Sequence, residues 1–314
     1  MQTNTLETQV PSLSAAARPH PWRGYFFIAA ATFCWGAAAT LSKAIFNGKV
    51  FAGQPLISPL VITQMRTTVA VSILALFLFF RGGTQAFKIS RRDLVLSVLA
   101  GTLGMAGSNY FYYLAIQKTT VATAITIQNT APVWVLLAMV ARGKQRATVR
   151  RILAVLMALM GVALVIGLFH KGVNLDPVGV AAAMMAAFSF TFYNVVAQGV
   201  VSRNYPLKIM NYALLGAALM WLVINPPWRL VAQHYSRGQW AFLFAFGCLS
   251  MLLPYVFYFS GLKYLDPTRA VVTSCLEPVF AIMFSVLFVN ETLGLLQVVG
   301  IVAVLTATVM VQKQ

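Results

Sequence analysis

Runs of apolar residues recur along the whole chain, and short polar or basic stretches separate them. Each run is about 20 residues long, which as a helix is enough to cross the roughly 30 Å hydrocarbon core of a membrane. The pattern predicts an all-α integral membrane protein with ten transmembrane helices. The predicted helices cover residues 24–44, 60–80, 94–115, 120–140, 150–169, 177–201, 208–225, 239–262, 268–289 and 292–312.

Composition excludes a soluble globular protein. Of the 314 residues, 60 % are apolar and only 9 % are charged, and the mean hydropathy is +0.79. Soluble domains carry about a quarter charged residues. The loops between the predicted helices are short, so we expect no nucleotide-binding or catalytic domain outside the membrane, which excludes an ATPase subunit.

The net charge of +17 predicts an orientation rather than a nucleic-acid partner. The basic loops at 81–92, 142–151 and 202–208 follow the second, fourth and sixth predicted helices and therefore share one side of the membrane. Cytoplasmic loops carry the excess of lysine and arginine, and this charge also attracts anionic lipid. Both termini are predicted to be cytoplasmic. Residues 1–21 are polar and contain proline, so we expect a disordered tail rather than a signal peptide.

The chain repeats itself at an offset of 146 residues without a gap. GTLGMAGSNYFYYLAIQ from position 101 aligns with GCLSMLLPYVFYFSGLK from position 247, and Pro132 aligns with Pro278. We therefore expect two repeats of five helices, at 22–170 and 171–314. Because five is odd, the second repeat enters the membrane from the opposite side. Such an inverted repeat is typical of transporters with a binding site near the midplane, between the halves.

Only three ionisable side chains fall clearly within the predicted spans, namely Lys43, Arg66 and Glu277. A charge at the centre of a bilayer costs at least a few kcal/mol, so each should face a cavity, an interface or a partner. Glu277 fits a contact to a substrate cation, a proton site, a counter-ion for a basic residue, or a fixed tie between helices. Arg66 fits a paired structural role or the binding of a substrate carboxylate. Lys43 fits either a site residue or a side chain that extends to the interface.

Prolines at equivalent positions of the fourth and ninth helices predict a kink in each. Pro132 and Pro278 each remove one backbone donor and free the carbonyl four residues earlier. The residue before the proline differs, since Ala131 in the first repeat corresponds to Glu277 in the second. Charge therefore breaks the symmetry of the scaffold, which a site for an asymmetric ligand requires.

Aromatic and amide side chains cluster in the third and eighth helices, with further members elsewhere. They fit either a substrate pocket or an aromatic belt at the membrane interface. The pocket interpretation gives the predicted substrate-binding set: Trp35, Lys43, Arg66, Asn109, Tyr112, Tyr113, Gln128, Asn129, Tyr193, Asn194, Tyr258 and Glu277.

Catalytic and metal-binding patterns are not found in the sequence. The three histidines lie in the predicted tail and loops, so no intramembrane metal site is expected, and no cofactor-binding motif is present. An intramembrane enzyme needs paired catalytic groups, and a lone Glu277 argues against one. A membrane scaffold without transport activity is the remaining alternative of another class.

The chain resembles the drug/metabolite transporter superfamily, specifically its EamA-type ten-helix transporters. The resemblance is carried by Gln64-Met65-Arg66, by A-P-V-W at 131–134, by S-C-L-E-P-V-F-A at 274–281 and by N-E-T-L at 290–293. It implies an exporter or exchanger of amino acids, related metabolites or drugs in the bacterial inner membrane, with a central cavity open alternately to each side. A sugar- or phosphate-ester (nucleotide-sugar-like) antiporter is the alternative substrate class. Whether a proton or a counter-substrate is coupled stays open.

Overall fold

The computed structural model describes residues 20–46, 50–51, 53–119, 121–165, 176–289 and 294–312. Within these ranges the chain is helical and contains no strand. The predicted tail at 1–21 lies outside them except for its last two residues, and the N-E-T-L segment at 290–293 lies outside them as well. The helices are α1 Pro21–Phe46, α2 Pro59–Gly82, α3 Arg91–Leu99, α4 Gly107–Lys118, α5 Val121–Gln128, α6 Ala131–Ala141, α7 Val149–Val165, α8 Pro177–Val201, α9 Pro206–Ile224, α10 Pro227–Val231, α11 Arg237–Gly247, α12 Leu253–Leu262, α13 Pro267–Ser274, α14 Glu277–Val289 and α15 Leu295–Gln312.

Six helical stretches of the described chain are long and apolar enough to cross a membrane. They are Pro59–Phe87, Arg91–Lys118, Thr123–Ala141, Pro177–Val201, Pro206–Ile224 and Arg237–Leu262. Large apolar side chains such as Phe80 and Val223, each 81 % exposed, point outward from these stretches. A surface of this kind requires lipid around it. The chain is therefore a helical integral membrane protein, while the number of ten crossings and the orientation of the termini stay predictions.

Several helices begin where the sequence supplies a cap. Ser58, Asp176 and Asp266 each accept a backbone N–H of the first turn and are each followed by proline at the first helical position. Ser90 and Ser236, which are 146 residues apart, cap α3 and α11 in the same way. The two halves of the chain thus start equivalent helices with equivalent chemistry.

Two short π-helical segments interrupt otherwise continuous rods. Ala100–Ala106 joins α3 to α4, and Cys248–Leu252 joins α11 to α12. A side chain at Gly101 would place its Cβ 1.9 Å from the carbonyl oxygen of Ala213, so only glycine allows the close approach to α9. Irregular backbone of this kind is tolerated at membrane depth only where it is buried against neighbouring helices or lines a cavity.

The helices that contain Pro132 and Pro278 are interrupted rather than kinked, which corrects the expectation from the sequence. α5 ends at Gln128 and α6 begins at Ala131, while α13 ends at Ser274 and α14 begins at Glu277. Proline clashes with the carbonyl of the preceding turn and lacks a donor. In both halves the chain resolves this conflict by ending one helix and starting the next with the proline at its second position.

The packing places equivalent helices in equivalent surroundings. α7 packs along α15, which is its counterpart after a shift of 146 residues. α1 packs against α12, and α8 packs against α4. The shift of 146 residues relates α1 to α8 and α4 to α12. The α1–α12 contact and the α8–α4 contact are therefore equivalent, and in each of them a helix of one half packs against a helix of the other.

Candidate functional site

A cavity opens where α1, α2, α4, α8, α12 and the two interrupted helices meet. It contains about 620 Å³ of space not filled by protein atoms, and this volume includes the part that opens to the outside. Its walls combine charged, amide, hydroxyl and aromatic groups. They are formed by Trp35, Ala38, Arg66, Ser108, Asn109, Tyr112, Tyr113, Gln128, Asn129, Ala131, Phe190, Tyr255, Val271, Ser274 and Glu277.

Arg66 is held in this wall by three other segments of the chain. Its side chain is 2 % exposed, and Nη1 donates to the Tyr113 hydroxyl and to Asn109 Oδ1 at 3.3 Å. Nη2 donates to the backbone carbonyl of Ser250, within the second π-helical segment. The guanidinium carbon also lies 4.9 Å from the centre of the Tyr113 ring and 5.5 Å from that of Phe246. The cation is therefore fixed in place by polar and cation–π contacts.

Glu277 is the first residue of α14 and lies at the second helix interruption. Its Oε1 accepts a hydrogen bond of 3.2 Å from the Tyr112 hydroxyl. The start of a helix carries partial positive charge, which favours a carboxylate there. Gly36 of α1 packs against this point, because a Cβ at Gly36 would lie 2.9 Å from the carbonyl oxygen of Glu277. The carboxylate is thus bound by Tyr112 of α4, while α1 packs closely against the backbone of the same residue.

A single turn of α4 contacts both charged side chains. Asn109 and Tyr113, four residues apart, bind Arg66, while Tyr112 binds Glu277. Residues three and four positions apart share one side of a helix. α4 therefore sets the relative position of the cation and the carboxylate.

Arg66 and Glu277 do not form an ion pair, although both line the cavity. The ion pairs within the described ranges involve Asp93 and Asp266 instead. Arg66 lies in a helical stretch long and apolar enough to cross a membrane, and Glu277 lies in the ninth predicted span; an uncompensated charge is costly in such a place. Two oppositely charged side chains that line one cavity without forming an ion pair can each bind a charged group of a ligand.

Pairs of positions 146 residues apart meet at the cavity. Asn109 Nδ2 donates to the Tyr255 hydroxyl at 2.8 Å, across a sequence separation of 146. Gln128 and Ser274 form a second pair in the wall, and Ala131 and Glu277 form a third. Equivalent residues of two repeats contact each other directly only near the axis that relates the repeats.

Eight of the twelve predicted site residues line this cavity. They are Trp35, Arg66, Asn109, Tyr112, Tyr113, Gln128, Asn129 and Glu277. The Gln128 amide donates to the Ser108 hydroxyl at 3.2 Å, and the Asn129 amide donates to the carbonyl of Ile125 at 2.8 Å. The structure thus brings together side chains from five predicted helices.

Tyr193, Asn194 and Tyr258 lie one layer behind the wall. All three are fully buried, and the Tyr258 hydroxyl donates to Asn194 Oδ1 at 2.6 Å. Tyr258 and Trp35 have ring centres 5.2 Å apart, so this layer supports the wall from behind. Lys43 belongs to α1, and its side chain is outside the described part of the structure.

The predicted site does not include Tyr255, Ser274, Ser108, Phe190, Ala38, Ala131 and Val271, which the structure places in the wall. The 146-residue offset carries the signal for three of them. Applied to Asn109 it points to Tyr255, applied to Gln128 it points to Ser274, and applied to Glu277 it points to Ala131. No comparable signal marks Phe190, whose position in the wall follows from the packing of α8.

The predicted cytoplasmic end of α13 is tied to the other half of the chain. Arg151 Nη2 of α7 lies 3.9 Å from Asp266 Oδ2, and the Thr268 hydroxyl donates to Gln145 Oε1 at 2.7 Å. α13 runs from these contacts to Ser274 in the cavity wall. A movement that separates the halves at this end would therefore shift α13 and, with it, Ser274 in the cavity wall.

An apolar groove lies on the other side of the same α4 and α8 segments. Its lining includes Leu103, Tyr110, Phe188, Phe192 and Trp221. Phe188 and Leu103 are exposed, as expected for side chains that contact lipid. The groove is apolar, whereas the central cavity has polar walls, so the two spaces differ in chemistry.

A sequence model of the EamA-like transporter family matches the chain twice, at residues 22–167 and at residues 177–312. The threonine/homoserine exporter RhtA of Salmonella typhimurium (strain SL1344) is 27 % identical over 276 residues, which cover 87 % of this chain and 85 % of that protein. RhtA of Escherichia coli (strain K12) is 27 % identical over 274 residues, covering 86 % and 84 % of the two chains. An uncharacterized transporter of Archaeoglobus fulgidus is 27 % identical over 273 residues, covering 85 % and 92 %.

One solved crystal structure of another protein superimposes on this chain with a TM-score of 0.70 at 18 % sequence identity. The superposition covers 92 % of this chain and 96 % of the other. At this level of identity the likeness establishes a shared fold and carries no information on ligands.

Proposed function

The chain belongs to the EamA-like transporter family, and from that premise we propose that it is a secondary transporter that exports or exchanges a small amphipathic metabolite. The substrate class that we propose is an amino acid or a related compound. The site is the cavity between the halves, and transport occurs as that cavity opens alternately to each side. We further propose ten membrane crossings, with both termini on the cytoplasmic side of a bacterial inner membrane.

The observation that carries this proposal is the composition of the cavity wall. One wall holds a fixed cation at Arg66, and another holds a carboxylate at Glu277, with aromatic side chains between them. A compound with both charged and apolar parts matches such walls. The threonine/homoserine exporters that resemble this chain at 27 % identity support the choice of an amino acid.

Alternating access is supported by the helix interruptions and by the contacts at the end of α13. Interrupted helices beside a midplane site are typical of transporters built from inverted repeats. We propose that the contacts of Asp266 with Arg151 and of Thr268 with Gln145 separate in the state that opens toward the cytoplasm. In that state the two halves adopt each other's conformation, about the axis near Asn109 and Tyr255, and the end of the cavity away from the cytoplasm closes.

A phosphate-ester substrate fits the cavity less well. Among the described residues of the wall, Arg66 supplies the single cationic side chain, and Glu277 would repel a phosphate. Binding of a doubly charged phosphate normally uses several cationic or backbone donors. The charges therefore favour a ligand that is neutral overall.

The proposal is tested with purified protein in two steps. A thermal-shift screen against amino acids, nucleosides and phosphorylated sugars is expected to identify amino acids as stabilising ligands. Each hit is then measured by counterflow, in which vesicles that contain the protein and unlabelled compound accumulate the labelled compound. We expect accumulation with L-threonine or another amino acid and none in protein-free vesicles. Absence of counterflow for every compound in the panel would exclude a transport function, and counterflow of sugar phosphates alone would exclude the amino-acid class.

A further inference from the structure

We propose that the cavity recognises the zwitterion of an α-amino acid through both charges at once, with the substrate carboxylate on Arg66 and the substrate ammonium on Glu277. This inference rests on the proposed transport function and names how its site selects a substrate. It follows from the donor count at Arg66, from the environment of Glu277 and from the absence of an ion pair between them in the described chain.

Arg66 retains donors for a ligand after its contacts with the protein are counted. A guanidinium group has five N–H donors. Two on Nη1 serve Asn109 and Tyr113, and one on Nη2 serves the carbonyl of Ser250. Nε is buried and has no partner within the described residues. Nε and Nη2 form one edge of the guanidinium, and a carboxylate can accept hydrogen bonds from both atoms of such an edge.

Glu277 is equally incomplete as an acceptor. The Tyr112 hydroxyl donates to Oε1, and the described chain supplies no cationic partner within ion-pair distance. An ionised carboxylate accepts up to about four hydrogen bonds. An ammonium group supplies three donors and a positive charge, which makes it the natural counterpart for this site.

Arg66 and Glu277 are bound by different side chains of α4 and form no direct ion pair with each other in the described chain. Arg66 is fixed by Asn109 and Tyr113, while Glu277 is bound to Tyr112, and the rings of Tyr112 and Tyr113 lie side by side with centres 5.7 Å apart. A ligand that carries only a carboxylate would leave Glu277 without a direct ion-pair partner, and a ligand that carries only an ammonium would leave Arg66 without one. A zwitterion compensates both charges and adds no net charge to the membrane interior.

The rest of the wall fits the side chain of the substrate. Trp35, Phe190 and Val271 contribute apolar surface, and the Trp35 ring packs edge-on against Tyr255 with centres 5.2 Å apart. Hydroxyl groups of Ser108 and Ser274 are also in the wall. We therefore infer that both charged groups of the substrate are selected strictly and that its side chain is selected loosely.

The test compares three ligands that differ by one charged group each. L-Threonine carries both charges, L-threoninamide retains only the ammonium, and 3-hydroxybutanoate retains only the carboxylate. Each compound is measured as a competitor of labelled substrate with the wild-type protein in vesicles. We expect each analogue to compete at least tenfold less well than the amino acid, since charge-assisted contacts are strong. The same comparison is made with the amide and des-amino form of any other amino acid that shows counterflow.

A variant separates recognition of the ligand from a purely structural role. In Glu277→Gln the preference for the amino acid over 3-hydroxybutanoate should fall to within about threefold, because the contact to the ammonium is lost. The preference over L-threoninamide should persist, because Arg66 is unchanged. A uniform loss of both preferences, or wild-type competition by either analogue within threefold of the amino acid, would overturn the zwitterion assignment. If vesicles show counterflow of another compound but of no amino acid, this assignment is wrong while the transport function stands. If they show counterflow of nothing, both fail.

Discussion

Replacing Glu277 by glutamine is expected to lower amino-acid transport by about 10- to 100-fold while leaving the folded protein intact. The substitution keeps the size of the side chain, and an amide oxygen can still accept the hydrogen bond from the Tyr112 hydroxyl. What is lost is the negative charge that faces the cavity. A hydrogen bond to a charged group contributes about 1.5–3 kcal/mol, and each 1.4 kcal/mol corresponds to a factor of ten. Initial counterflow rates, at equal amounts of monodisperse protein, measure the effect.

Asp176→Asn is the matched control for this substitution. Asp176 also stands directly before a proline at the start of a helix, and its Oδ1 accepts the backbone N–H of Gly179 at 2.9 Å. Asparagine caps helices as well as aspartate does, so this carboxyl-to-amide change should leave transport near the wild-type rate. Wild-type transport in Glu277→Gln, at equal abundance of folded protein, would show that the carboxylate serves neither substrate binding nor coupling.

Replacing Arg66 by lysine is expected to impair both stability and transport, although the positive charge is retained. A lysine ammonium cannot reach Asn109, Tyr113 and the Ser250 carbonyl with the geometry of a planar guanidinium. Hydrogen bonds between membrane helices contribute about 0.6–1.7 kcal/mol each, and a desolvated cation–π contact about 2 kcal/mol. We therefore expect the free energy of unfolding to fall by roughly 2–4 kcal/mol and counterflow to fall more than tenfold. Denaturant unfolding and counterflow measure the two effects.

Arg81→Lys provides the comparison on the same helix. Arg81 lies in the last turn of α2, is exposed, and contacts the Phe77 ring at 5.8 Å. We expect this variant to match the wild type in both measurements, because the contact of Arg81 with Phe77 is within its own helix and its exposed charge remains solvated. Equal stability of Arg66→Lys and the wild type would mean that the network around Arg66 contributes little to holding the halves together.

The positions of the helices are predictable because each membrane helix must be apolar along its whole length. A membrane helix needs a continuous apolar run, and the described helices lie within or close to the predicted runs. The 146-residue offset is informative beyond helix positions. It relates Pro132 to Pro278, and both prolines lie at helix interruptions beside the cavity. Duplicated local chemistry is visible in sequence because each copy must satisfy the same backbone constraints.

The depth and form of the interruptions are not predictable in the same way. A proline inside an apolar run is compatible with a kink or with a break. The outcome depends on whether neighbouring helices leave room for a turn, and that is a property of the assembled structure. As a result Glu277, expected within a continuous helix, is the first residue of α14 and gains the favourable field of a helix start.

The direction in which aromatic side chains face is only partly predictable. Tyr255 and Tyr258 lie three residues apart on α12, so the spacing predicts that both face one side of the helix. The structure places Tyr255 in the cavity wall and Tyr258 behind it, bonded to Asn194. Tyr193 of α8 packs against both rings, while Phe190 of α8 packs against the Tyr258 ring. Contacts between distant helices decide such details, and a single sequence does not display them.

The central claim is that the cavity around Arg66 and Glu277 opens alternately to both sides of the membrane. A single cysteine at Ala38, in the cavity wall, tests it in a protein whose Cys34, Cys248 and Cys275 have been replaced by alanine. A membrane-impermeant thiol reagent is added to one side of sealed vesicles at a time, with a cysteine at Leu156, exposed on α7, as the lipid-facing control. We predict that Ala38→Cys reacts from each side, that the transported amino acid slows both reactions, and that Leu156→Cys reacts from neither. Reaction of Ala38→Cys from one side only, at a rate that the amino acid does not change, would contradict the account.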